Sequence, residues 1–354
     1  MKKIVLSALL FSISISFAQN KFDADKLVNE GIPYHDKGDY EGAINKYDQA
    51  LQLDKDNLLA LAEKSFSLFS SKKYEESINC CKLAIEKHPD NPLLKSVYVT
   101  YGNALDGIKK TDQAFGIYDE GLKKFPDYYQ LHFNKGITYS SIKKYNEAIA
   151  SFQSAVLINP KHGSSFNAIA RLENLNNTNR IPAILAFSRF FIIESNSNRA
   201  KQNLESLKEI MVRGVEKTGK KSISLNINAS ILTDSAAVKK ENDFSSTDMI
   251  LSMTAALDYD KKNAKKTEVE NFIRKFETIC SSLEELKSKN SGFYWDFLTP
   301  YFIEMKNRKL IEPFAYVVYS SSGNEDVGKW IKTNDFLVDK LYNWSKNYKW
   351  KTNN

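Results

Sequence analysis

Between Ala24 and His162 the chain repeats itself. Small residues Gly31, Ser65, Gly102, Gly136 and Ala170 recur at spacings of 34, 37, 34 and 34 residues. Twelve positions after each of the first four comes a second small residue, at Ala43, Ser77, Ala114 and Ala148. Four further on stands a ring or a thiol, at Tyr47, Cys81, Tyr118 and Phe152. Three beyond that the residue is small again: Ala50, Ala84, Gly121 and Ala155. In the last three of these blocks a proline follows, at Pro89, Pro126 and Pro160. A fixed period in the range of about 20–50 residues marks an architecture of stacked units, none of which can bury its apolar side alone.

Each block reads as two short helices, A and B, that cross closely. The small residues at the eighth position, in A, and the twentieth, in B, let the two backbones approach, and the residue at position 24 fills the gap they leave. Proline has no backbone N–H and cannot continue helix B, so it ends the block. On these residues the chain resembles the tetratricopeptide repeat (TPR) family. The resemblance implies a mostly all-α fold, a TPR α-solenoid. Four clear repeats occupy residues 24–57, 58–91, 95–128 and 129–162, with three extra residues before the third. A degenerate fifth occupies 163–198, where Phe190 is large at a position that is otherwise small. Pro33 lies inside the first helix A, where a kink is expected.

Residues 199–216 read as a linking helix and 217–354 as a mainly helical C-terminal domain, for which no characterised function suggests itself. Within it Ile223, Leu225 and Ile227 alternate with polar residues, as in a short strand. Residues 228–244 read as a loop. Phe272, Phe276, Ile279 and Leu283 share one face of a helix over 267–288. A ring-rich helix follows over 292–308.

The first 18 residues read as a signal peptide. Lys2 and Lys3 precede an apolar run from Ile4 to Phe17, and Ser16-Phe17-Ala18 has the small-x-small form of a cleavage site. Cleavage there makes Gln19 the first mature residue and 19–23 a short N-terminal segment. The expectation is an exported protein of a bacterial cell envelope, periplasmic or secreted, soluble after cleavage and without a transmembrane segment. The formal net charge of +7 is mild for 354 residues and gives no argument for nucleic acid. Three cysteines, two of them adjacent, are read as buried free thiols rather than a disulfide framework.

No spacing among the four histidines and the cysteines matches a closed zinc site. The sequence holds no glycine-rich phosphate loop and no Gly-x-Ser-x-Gly elbow. The reading is therefore a protein that is not an enzyme and takes neither cofactor nor metal. What remains is the face of the A helices one residue round from the packed positions, about 100° away on a 3.6-residue helix. In the TPR family this stripe lines the concave groove. Here it places Val28, Ile32, Phe66, Phe69, Val99, Asn103, Phe133, Ile137, Asn167 and Arg171 as partner-binding residues, with His35 beside them. TPR domains that grip a C-terminal carboxylate use Lys and Asn at positions 5 and 9 of the first repeat. Val28 and Ile32 stand there, so that clamp is absent. The expected function is a protein–protein interaction scaffold whose unidentified partner lays an apolar segment in the groove. The alternative is a solenoid that positions a glycan-binding or catalytic C-terminal domain, suggested by the ring-rich helix.

Overall fold

The structure is a computed structural model that describes residues 2–176, 180–219, 222–226 and 241–351, with side chains from residue 19 onward. It divides into two compact units, Met1–Ser151 and Phe152–Asn354. The division falls inside a helix of the fourth repeat, not at residue 217, so the degenerate repeat and the linking helix belong to the same compact unit as the C-terminal helices.

The first unit is a run of helix pairs: α1 (Lys2–Asp36) with α2 (Tyr40–Leu53), α3 (Leu58–Ser70) with α4 (Tyr74–Lys87), and α5 (Leu94–Gly107) with α6 (Thr111–Lys124). Helix α7 (Tyr129–Ser141) follows, and α8 (Tyr145–Ile158) runs on into the second unit. Pro33 does not end α1, which continues to Asp36.

The repeating small residues do what their spacing implies. A Cβ added at Gly102 would lie 2.6 Å from Tyr118 Cζ and nearer still to Cε1, and one at Gly31 would meet Tyr47 in the same way. Both tyrosines are fully buried. The second block solves the same crossing differently. Ser65 brings a Cβ to the glycine position, and the ring opposite is replaced by the smaller Cys81. Ser77 Oγ, on α4, donates to the Ser65 carbonyl of α3 at 2.7 Å, tying the pair at that point. Cys81 is buried and its thiol is pushed up to about 12 by burial, as expected of a packing residue. Cys80 and Cys280 are free thiols too.

Every A-to-B turn in this unit has one residue in the left-handed region: Gly38 (φ 81°), Lys72 (63°), Lys109 (65°) and Lys143 (61°). The residue after it closes a 6→1 bond back into helix A, as Lys73 N does to Leu68 O at 2.8 Å and Lys110 N to Leu105 O at 2.9 Å. This is the helix-terminating motif that satisfies the last carbonyls and favours glycine at its left-handed position. Three of the four turns use lysine there instead.

The second unit is organised by a different device. Helix α10 (Arg180–Ile193) follows α9 (Gly163–Leu175) and is buried from Arg180 to Ile192, on every side. A helix apolar all round belongs in a core. Helix α10 packs against α9 and α11 (Asn198–Val212), and on its other sides against α12 (Ser245–Ala256), a π-helical turn at Tyr294–Leu298 and α15 (Ile311–Val318). Phe190 thus stands where the sequence pattern wants a small residue because another layer covers it. The remaining helices are α13 (Glu268–Leu286), α14 (Thr299–Asn307), α16 (Glu325–Thr333) and α17 (Asp335–Asn347). Thr267 and Glu270 form a capping box at the start of α13. Two short strands, β1 (Val215–Lys217) and β2 (Ile223–Leu225), pair antiparallel with Glu216 opposite Ser224. The expected strand residue Ile227, and most of the expected loop over 228–244, lie outside the described residues.

Two arginines enter the core on α10. Arg180 forms a buried ion pair with Asp248 of α12, and donates to the Asp248 carbonyl, to Arg213 O and to Ser252 Oγ. Arg189 has no such carboxylate among the described residues.

Candidate functional site

In the first unit α1 packs on α3, α3 on α5 and α5 on α7, so the A helices form one continuous layer. The B helices α2, α4 and α6 each pack between their own A helix and the next, as α2 does on α3 and α4 on α5. A partner could therefore run across several repeats along the A-helix layer.

The residues of the expected stripe divide into three kinds. Val28 does not line a groove: it is fully buried in a core shared with Ala24, Tyr47, Ala50 and Ala60. The reason is tertiary, because small Ala60 on α3 lets α1 approach closely enough to cover it. Phe69 and Val99 are half-buried against the core of the second and third blocks, with Phe69 also tilted against Tyr74 at 5.8 Å. Ile32 and Phe133 are half-buried. Only Phe66 and Ile137 are large apolar side chains with nearly half their surface in solvent, 45% and 47%. They occupy the same ninth position of the second and fourth repeats.

Two polar networks brace this layer. His35 stacks on Phe66 with ring centroids 4.6 Å apart and shares a 2.7 Å hydrogen bond between Nδ1 and Ser67 Oγ. Burial lowers the His35 pKa, with Asp36 opposing the shift, so the neutral ring is favoured against the phenyl face. Asn103, midway between, accepts from Tyr118 OH at 2.6 Å and donates from Nδ2 to Asn134 Oδ1 at 3.1 Å. Asn134 in turn donates to Gln130 O. Sequence spacing could not single out Asn134, which lies one position round the helix from Phe133. Its role depends on how α7 sits against α5.

Asn167 and Arg171 belong to the second unit. Asn167 Oδ1 accepts from Asn203 of α11 at 2.7 Å, so it serves packing, while Arg171 is exposed. The rings that suggested a glycan site in that unit are core: Tyr294, Trp295, Phe297, Tyr301 and Phe302 are all buried. Trp295 stacks parallel on Phe244 at 4.4 Å, and Tyr294 OH donates to buried Glu173 at 2.5 Å. In the tail, Trp350 stacks on Tyr301 and Trp344 is tilted against it, both rings half-buried. Among the described residues no helix is long and apolar enough to cross a membrane.

Comparison with known proteins identifies the repeats. A TPR repeat model matches residues 33–63, and a tetratricopeptide repeat model matches residues 129–162, the span of the fourth block. A STIP1 homolog of Dictyostelium discoideum is 30% identical over 155 residues, covering 35% of this chain and 28% of that protein. A TPR repeat-containing protein of Methanocaldococcus jannaschii is 25% identical over 139 residues, covering 38% of this chain and 24% of that one. The chain thus spans about a quarter of the length of the curated relatives it matches. Among solved structures, a thermophilic TPR protein of Thermus thermophilus superposes with a TM-score of 0.44 at 14% identity, over 53% of this chain and 100% of that one. The type IV pilus biogenesis factor PilW superposes with a TM-score of 0.42 at 19% identity, over 53% and 90%.

Proposed function

We propose that this chain is a non-catalytic scaffold that binds a partner protein along the A-helix layer of its first unit. The observation that carries the reading is the pair Phe66 and Ile137. Two large apolar side chains stay nearly half exposed at equivalent repeat positions, while every packing position around them is closed. Exposed apolar side chains gathered on one face are a feature of interaction sites. The ligand that fits is an amphipathic helix or extended segment whose apolar residues lie on Phe66 and Ile137, with the Asn103 amide between them. The TPR matches and the scaffold role of TPR proteins in general favour the same reading. The leader-like first 18 residues place the activity, in this proposal, outside the cytoplasm in a bacterial envelope.

The test is site-specific photocross-linking. A photoreactive residue at 66 or 137 should capture the same protein from a solubilised envelope extract, and one at Gly116, exposed on helix α6 of the other layer, should not. The double variant Phe66→Ser with Ile137→Ser should lose that capture with its helical circular dichroism intact. Capture that survives both changes refutes the assignment of the face. Processing of the leader is checked separately, by N-terminal sequencing of the protein recovered from its native host.

A further inference from the structure

Arg189 is a buried cation with no carboxylate partner among the described residues. It is 2% exposed. Its Nη1 donates to Tyr301 OH at 3.1 Å and to Ser345 Oγ at 2.8 Å, and its Nη2 donates to Pro160 O at 3.0 Å. All three acceptors are neutral. The rings of Trp350, Tyr301 and Phe166 surround the guanidinium at 4.9, 5.0 and 5.9 Å. They attract the charge but do not neutralise it. Among the described residues no carboxylate pairs with Arg189. Arg180, on the same helix, shows the usual solution with Asp248. Leaving an ion of this size buried and unpaired costs several kcal/mol.

The donors are also incompletely used. A guanidinium has five N–H groups. Three are spent, Nε has no partner among the described residues, and one Nη2 hydrogen remains. Nε and Nη2 share the edge of the guanidinium plane that matches the two oxygens of a carboxylate side-on.

Arg189 also lines an open cleft of about 380 Å³. Two more cations line it, Lys161 from the α8–α9 turn and Lys346 from α17, and neither has a carboxylate within 4.0 Å among the described residues. Tyr342 and Ser345 contribute hydroxyls, and Ile192 and Ile193 form an apolar wall. Among the described residues no acidic side chain lines the cleft. The nearby Glu194 is held by Arg199 and Ser197. Three cations, one of them buried with an orphan N–H, stand beside two isoleucines. That combination selects an anion on a short apolar stem, and the volume is at the small end of small-molecule sites.

We propose that this cleft binds a small aliphatic monocarboxylate. The carboxylate is held at the edge of Arg189 between Lys161 and Lys346, and its chain lies along Ile192 and Ile193. The ligand supplies a counter-charge that none of the described residues provides.

The test titrates the full chain with hexanoate at low salt, followed by calorimetry and by the fluorescence of the tryptophans, Trp350 among them. Hexanoate should bind saturably. Hexan-1-ol, which keeps the stem and loses the charge, and inorganic phosphate, which keeps the charge and loses the stem, should each bind at least tenfold more weakly. The double variant Lys161→Gln with Lys346→Gln should weaken hexanoate by tenfold or more with unchanged circular dichroism. Arg189→Lys should weaken it further. If Arg189→Lys fails to fold, the exposed lysine pair still decides the matter. Absence of saturable hexanoate binding overturns the proposal, as does binding that the lysine pair does not affect. Equal binding of hexan-1-ol makes the cleft merely apolar, and equal binding of phosphate makes it a simple anion site; either result overturns the carboxylate class. A peptide ending in a free leucine carboxylate that binds more than tenfold tighter than hexanoate, and loses this on amidation, overturns the small-molecule assignment in favour of a protein C-terminus.

Discussion

Gly102→Ala adds one methyl group in the middle of a helix, a change that ordinarily stabilises by about 1 kcal/mol because alanine is the better helix former. Here the sign should reverse. The new Cβ would lie 2.6 Å from Tyr118 Cζ and 2.7 Å from Cδ1. Carbon atoms in contact prefer about 3.5–4.0 Å, so the ring must withdraw by about 1 Å. Tyr118 has little room to do so. It is fully buried, and its hydroxyl is anchored on Asn103 at 2.6 Å. Forcing an extra carbon into a closed core costs about 1–3 kcal/mol, and straining or losing the tyrosine hydrogen bond adds about 1 kcal/mol. Set against the helix-propensity gain, the net destabilisation is about 1–3 kcal/mol. Gly116→Ala is the control, since nothing lies within 4 Å of its would-be Cβ and it sits inside α6. It should stabilise by about 0.5–1 kcal/mol. Urea unfolding followed by far-ultraviolet circular dichroism reads both. A second check is the cycle with Tyr118→Leu, in which Gly102→Ala should cost about 1 kcal/mol less than in the native background. If Gly102→Ala proves neutral or stabilising, α5 and α6 do not cross tightly at Gly102 and the small residue there is not what sets their approach.

Lys109→Gly should stabilise by about 0.5–1 kcal/mol, against the usual penalty for glycine, because Lys109 holds φ 65° at the end of α5; Gly38→Ala, at φ 81°, should destabilise by a similar amount in the same urea assay. Asp248→Ala strips the charge partner from buried Arg180 and should cost about 3 kcal/mol, near the lower bound for breaking a buried pair because the Asp248 carboxylate is partly exposed; a loss under 1 kcal/mol would mean the pair is not buried in solution. Burial lowers the pKa of His35, His132 and His162, so the unfolded chain binds protons more tightly than the folded one at these sites. Stability should therefore be full above the unfolded histidine value of about 6.5 and fall as pH drops below it. The urea midpoint should be lower at about pH 5.5 than at about pH 7.5, and replacing all three with glutamine should flatten that difference.

The repeat was legible because its constraint is local and periodic. Gly31 and Tyr47, or Gly102 and Tyr118, sit sixteen residues apart in one helix hairpin, and a close crossing can be met only by a small residue facing a large one. The second block keeps the sum by exchanging both members, Ser65 for glycine and Cys81 for the ring. The left-handed lysines at the turns were not legible, since nothing in a lysine announces a positive φ; the turn geometry imposes it. The candidate groove was legible only in outline. Spacing gave Phe66, Ile137 and Val28 the same rank, yet Phe66 and Ile137 stay nearly half exposed while the approach of α3 buries Val28.

In the C-terminal half the sequence by itself determined the elements: an apolar helix over residues 181–193, an amphipathic one over 267–288, a ring-rich one over 292–308. It left open which of them meet. Only the tertiary structure decided that α10 is enclosed on all sides, that the rings of Tyr294, Trp295 and Tyr301 are spent in packing, and that Arg180 meets a carboxylate while Arg189 meets none among the described residues. The physical reason is range. A repeat encodes contacts between residues a fixed, short distance apart, so pattern and contact are the same thing. The partners of Arg180 and Arg189 lie 68, 112 and 156 residues away, at Asp248, Tyr301 and Ser345. No periodicity connects them, and the charge balance of the core exists only once the chain has folded.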